Sequence, residues 1–142
     1  MSETRHCLAL DFDGVLCNSE AEVLAVALRT YDAMPDATGF GALVAERIDR
    51  GDSELAERFA RLTPLGNRAE DFGVSLRAVE HDQEIRDQSD YDAFFAAQPE
   101  SWRDAYHHAF YEQRGLLREE NREAWLRLHE DYPPISSLLH EL

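Results

Sequence analysis

Two aspartates one residue apart, Asp11 and Asp13, followed at once by Gly14, carry the spacing in this sequence best suited to chemistry. In an extended chain the two-residue period turns both carboxylates to one side. Paired carboxylates repel, which is tolerable if a divalent cation sits between them or they share a proton. Gly14 lets the backbone turn sharply and brings its N–H groups close to a phosphate.

The element that delivers these residues is a short apolar run, Cys7 to Leu10, which reads as a buried strand ending at the aspartates. Open α/β sheets place their ligand sites at such strand ends. Strand signals then nearly vanish. Ser19-Glu20-Ala21-Glu22 has capping-box spacing, and Leu24, Ala27, Leu28, Tyr31 and Met34 follow at helical intervals until Pro35. Further helices are expected over Phe40 to Ile48, Leu55 to Leu62, Arg68 to Val79, Tyr91 to Ala97, Trp102 to Arg114 before Gly115, and Glu119 to His129. The charges from Glu80 to Asp90 read as a solvated loop or helix face. Pro133-Pro134 ends this region, and Ile135 to Leu142 starts a last amphipathic helix.

Other readings of the aspartate pair fail on spacing or context. An EF-hand loop wants glycine at its sixth position and an oxygen ligand at its fifth, whereas here glycine is fourth and Val15 fifth. A receiver domain needs alternating strands and helices, which residues 19 to 132 lack. A sugar-nucleotide transferase needs a nucleotide-binding domain upstream, and only ten residues precede Asp11.

Gly66-Asn67-Arg68-Ala69-Glu70 opens a helix, so Asn67 and Arg68 are candidates to receive a carboxylate or second phosphate of a substrate. Asn67 with Glu70 also suits plain capping. His107 and His108 point to different helix faces and lack the spacing of a helical metal pair. Trp102, Tyr106, Phe110, Trp125 and Leu128 read as core. Cys7 and Cys17 are too few for a disulfide framework and lack CxxC spacing.

The composition, 44% hydrophobic over 142 residues, suits one ordinary domain. A net charge of −15 argues against nucleic acid or an anionic membrane as partner. No apolar run is longer than Val23 to Leu28, and the N-terminus has no signal-peptide pattern, so a cytoplasmic protein is expected. All 14 cationic residues are arginine.

The segment Leu10-Asp11-Phe12-Asp13-Gly14-Val15-Leu16-Cys17-Asn18-Ser19-Glu20 resembles the first motif of the haloacid dehalogenase superfamily. The resemblance implies a Rossmann-like α/β core with a helical cap, although the chain itself reads as mostly α with one core strand. It implies that Asp11 attacks phosphorus to form an aspartyl phosphate, and that Asp13 protonates the leaving oxygen and then activates water. It further implies Mg²⁺ held by the Asp11 carboxylate and the Asp13 carbonyl, with Phe12 and Gly14 at the phosphate. An aspartate at position 13 favours a phosphatase, phosphoglycolate phosphatase-like, or a phosphomutase. The implied organisation is first strand and catalytic loop over 1–18, helical cap over 19–131, and a returning helix from 132 to 142.

The family's later motifs, a serine or threonine ending the next strand, a lysine and an acidic pair, are not recognisable. Ser136 and Ser137 follow two prolines in an expected helix, and Glu70-Asp71 and Glu130-Asp131 fall in cap-like helices. The expectation is therefore a Mg²⁺-dependent phosphate-monoester hydrolase in incomplete or split form, acting on a small phosphorylated metabolite, with a second chain or further sequence supplying the rest of the core. The chain alone is expected to be inactive. The alternative is a non-catalytic helical interaction or scaffold protein that keeps the loop.

Overall fold

A computed structural model describes residues 11, 14–133 and 137. The described chain is mostly helical with one two-stranded antiparallel sheet. Its elements are β1 (Cys17–Asn18), α1 (Glu20–Ala33), α2 (Phe40–Asp49), α3 (Glu54–Leu62), α4 (Ala69–Glu80), α5 (Gln88–Ala97), α6 (Glu100–Glu120), α7 (Arg122–Leu126) and β2 (Glu130–Asp131), with a 3₁₀ turn at Thr63–Leu65. The strand expected at Cys7 to Leu10 lies outside the described residues, as does the Ile135 to Leu142 helix apart from Ser137. No described helix is long and apolar enough to cross a membrane.

Local chemistry sets the helix ends. Met34 is extended, with ψ 150°, because Pro35 disfavours helical geometry in the residue before it. Asp32, in the last turn of α1, accepts the N–H groups of Gly41 (2.9 Å) and Ala42 (2.6 Å), so α1 caps α2. Asp87 accepts Asp90 N–H (3.0 Å) to start α5, and Asn121 accepts Ala124 N–H (3.0 Å) to start α7.

α1, α4 and α6 pack on one another around Tyr106. This side chain is fully buried, and its hydroxyl donates to the Ala27 carbonyl (2.9 Å), which satisfies its polar end inside the core. Its ring lies against Gly73, where an added Cβ would come within 2.7 Å of ring carbons. Glycine at 73 therefore sets how closely α4 and α6 approach.

Three sequence expectations are corrected. α6 continues through Gly115 to Glu120 as a 21-residue helix, because Arg29 of α1 clasps its far end, donating to Gln113 (2.7 Å) and to Glu120 (2.6 and 2.5 Å). A helical glycine costs only about 1 kcal/mol relative to alanine, and those contacts offset it. The helix expected over Glu119 to His129 is the short α7, and Glu130-Asp131 form a strand, since Asn18 and Cys17 pair with them across the sheet.

The β1–β2 ladder pairs Cys17 with Asp131 and Asn18 with Glu130, and Tyr132 N–H reaches the Leu16 carbonyl (3.3 Å). The chain thus enters and leaves the helical body at one place.

Candidate active site

A cavity of about 790 Å³ opens between the Asp11 loop and the helical body. Asp11 is exposed and lines it, as does Gly14. Gly14 has φ 73°, a conformation that a Cβ would strain, and its N–H donates to the Cys17 carbonyl (2.8 Å). That donor is engaged within the turn. Phe12 and Asp13 lie outside the described residues.

Helices α1, α3, α4 and α6 supply the rest of the wall. Phe59, Phe72 and Phe110 form its apolar floor, with Phe72 and Phe110 ring centroids 5.5 Å apart. Val23 and Leu24, half-buried on α1, extend the apolar surface toward the loop. Tyr111 and Tyr132 are exposed at the wall.

The two cap candidates separate. Asn67 lines the cavity, whereas Arg68 does not. Arg68 gives both its backbone N–H and its Nε–H to Asp71 (3.0 Å each) and lies over the Phe95 ring, 5.2 Å from the centroid. The Asp71 hydrogen bond holds the Arg68 guanidinium above its ordinary pKa. The capping pair at the start of α4 is accordingly Arg68 with Asp71, one residue later than the Asn67 with Glu70 spacing suggests. Asp71 is buried and also accepts the Tyr91 hydroxyl (3.0 Å).

Sequence reasoning missed two residues here. Arg114 on α6 lines the cavity and is its only cation among the described residues. Its Nε and Nη2 donate to Glu22 of α1 at 2.7 and 3.1 Å, and Trp125 Nε1 donates to the same carboxylate at 3.0 Å. Glu22 is fully buried. It turns inward to this pair and leaves the start of α1 to Asn18, whose side chain accepts Glu20 N–H (3.0 Å). A signal was present: Glu22 precedes Val26 by four residues, and Arg114 follows Phe110 by four, so opposite charges stand on two core-facing stripes.

The remaining polar candidates lie away from the cavity wall. His107 Nδ1 contacts Glu70 (2.7 Å). Burial alone would raise the Glu70 pKa, but the His107 hydrogen bond, a backbone N–H and Arg68 hold it below the ordinary value. Glu130 and Asp131 are exposed on β2, and the Ser137 hydroxyl donates to the Pro133 carbonyl (2.9 Å).

Asp11 offers hard oxygen donors of the kind Mg²⁺ takes. Among the described residues no three His, Cys, Asp or Glu side chains converge on a metal position, so these residues by themselves do not make a magnesium site. No family model matches the chain, and no curated protein or solved structure shows significant similarity to it.

Proposed function

We propose that this chain carries the nucleophile loop and substrate-covering helical body of a phosphate-monoester hydrolase of haloacid dehalogenase type, with a Rossmann-like core completing the site. The observation that carries the reading is the β1–β2 ladder. It brings both ends of the helical body together beside Asp11, as an insertion into one loop of a core domain requires. An open cavity with Asp11 on its wall supports it further.

In this reading Asp11 attacks the phosphorus of a small phosphorylated metabolite, and the P–O bond to the alcohol breaks as the aspartyl phosphate forms. Asp13 gives its proton to the departing oxygen, then takes one from the water that releases inorganic phosphate. Mg²⁺ is the proposed cofactor, and donors beyond the described residues would complete its site. Because these 142 residues contain no lysine, the cation implied by the family resemblance comes from further sequence or another polypeptide, or is replaced by arginine.

The test is phosphate release from p-nitrophenyl phosphate and small phosphorylated metabolites with Mg²⁺. The chain is assayed alone and together with the polypeptide encoded beyond codon 142. Release is expected in the combined sample, and Asp11→Asn should reduce it by about 10³-fold or more. Release that is indifferent to Asp11→Asn overturns the reading. No release in any combination supports the non-catalytic scaffold instead.

A further inference from the structure

A second cavity, of about 730 Å³, lies on the other side of α3 from Asp11. Arg58, Arg61 and Leu62 line it, whereas Ala56, Phe59 and Ala60 line the Asp11 cavity. By helical periodicity those two sets stand on opposite faces of α3. The turn between α4 and α5, from Asp82 to Arg86, lines the second cavity as well.

Charge sets this cavity apart. Over the whole chain acidic residues outnumber cationic ones 29 to 14, yet here three arginines, Arg58, Arg61 and Arg86, meet two carboxylates, Asp82 and Glu84. The arginines are engaged to different degrees. Arg58 pairs with Asp82 (2.8 Å), but that aspartate side chain is 88% exposed, and a pair so open to water contributes little and is readily exchanged for another anion. Arg86 gives Nε and Nη2 to Asp90 (2.9 and 3.4 Å), which does not line the cavity, and its Nη1 makes no hydrogen bond among the described residues. Arg61 is exposed and has neither a hydrogen bond nor an ion pair among the described residues. Its whole fork of donors is open, in the geometry that takes a carboxylate or phosphate through two parallel bonds. Leu65 and Ile85, both half-buried, add a partly accessible apolar edge.

We propose that this second cavity binds a small aliphatic anion, with a carboxylate or phosphate held by Arg61 and Arg86 and the apolar body against Leu65 and Ile85. The site is separate from the chemistry at Asp11 and does not rest on the phosphatase reading. Glu84 is the lining charge that opposes such a ligand, so its removal should strengthen binding where loss of Arg61 weakens it.

The test titrates hexanoate, hexyl phosphate and hexanol into the full chain without Mg²⁺ and follows backbone amide signals by NMR. Both anions should give saturable shifts at Arg61, Ile85 and Arg86, with hexanol about tenfold weaker or more. The tighter of the two anions names the head group that the site takes. Arg61→Gln should weaken anion binding about tenfold and Glu84→Gln strengthen it about threefold. Both side chains are exposed and neither makes a side-chain hydrogen bond among the described residues, so the fold should survive each change, as the same spectra report. Added salt should weaken the anions and leave hexanol unaffected. No saturable shift from either anion, hexanol binding as tightly as the anions, or indifference to both substitutions overturns the proposal. Shifts confined to Asn18 and Asn67 would place the ligand in the Asp11 cavity and overturn it too.

Discussion

Glu22 and Arg114 lie 92 residues apart in sequence, yet the carboxylate of one accepts two hydrogen bonds from the guanidinium of the other. The acid is fully buried and the arginine side chain is 31% exposed, so the pair spans the boundary between core and cavity.

Removing one partner strands the other. Arg114→Met should destabilise the fold by roughly 2–3 kcal/mol, below the usual 3–5 for a fully buried pair because solvent reaches this arginine and Trp125 still donates to Glu22. Adding Glu22→Leu should recover most of that loss, since apolar replacement of a whole buried pair is often neutral. Urea unfolding of the two single variants and the double variant measures this. A double variant no more stable than Arg114→Met would mean that stranded charge is not the cause.

Two glycines on neighbouring helices should respond in opposite ways to the same substitution. Gly73→Ala drives a methyl into the Tyr106 ring and should cost about 1–3 kcal/mol. Gly115→Ala meets nothing within 4 Å in the middle of α6 and should gain up to about 1 kcal/mol. Thermal unfolding of both variants decides the matter, and equal shifts would contradict the close approach of α4 and α6.

Glu70 makes a pH-dependent contribution with a definite sign. Its folded pKa is held below the ordinary 4.5, so the stabilisation is complete above that value and is lost as pH falls through the folded pKa. Glu70→Gln should flatten the loss of stability below about pH 4.5. Denaturant midpoints measured from pH 3 to 7 test this; parallel curves for the two proteins would remove Glu70 as a cause.

Hydrogen exchange should be slowest in α1, α4 and α6, whose faces bury Val26, Leu76 and Tyr106. It should be fastest at β1 and β2, because a ladder of two residues on each side cannot protect itself. Protection at Cys17 and Asn18 equal to that in α6 would show that something outside the described residues covers the ladder.

Much of the helical body was legible in the sequence, because apolar periodicity and breakers are local signals. Phe40 to Ile48 was expected and Phe40–Asp49 is found; Leu55 to Leu62 was expected and Glu54–Leu62 is found. The failures share a cause. Gly115 reads as a stop only until Arg29 is known to grip Gln113 and Glu120 beyond it. Glu22 reads as a cap only until Arg114 is known to lie beside it. Glu130-Asp131 reads as helix only until Cys17 and Asn18 pair with it. In each case the deciding partner is distant in sequence. For the site, the sequence singled out Asp11 and Asn67, which line the same cavity, but assigned the cation to Arg68 where the fold presents Arg114.

The pairing of Cys17 with Asp131 also has a topological meaning. Residues paired across an antiparallel ladder sit about 5 Å apart, so the whole run of helices and loops between the two strands is tethered at what amounts to a single point. Such a body can be grafted into a loop of another domain with little strain, since its ends already meet and closing them costs almost no additional chain entropy. Were the body to turn about that point, displacement would grow with distance from the two strands, so the cavity residues beside them, Asn18, Ser19 and Tyr132, would keep their place next to Asp11 while the far helices swing.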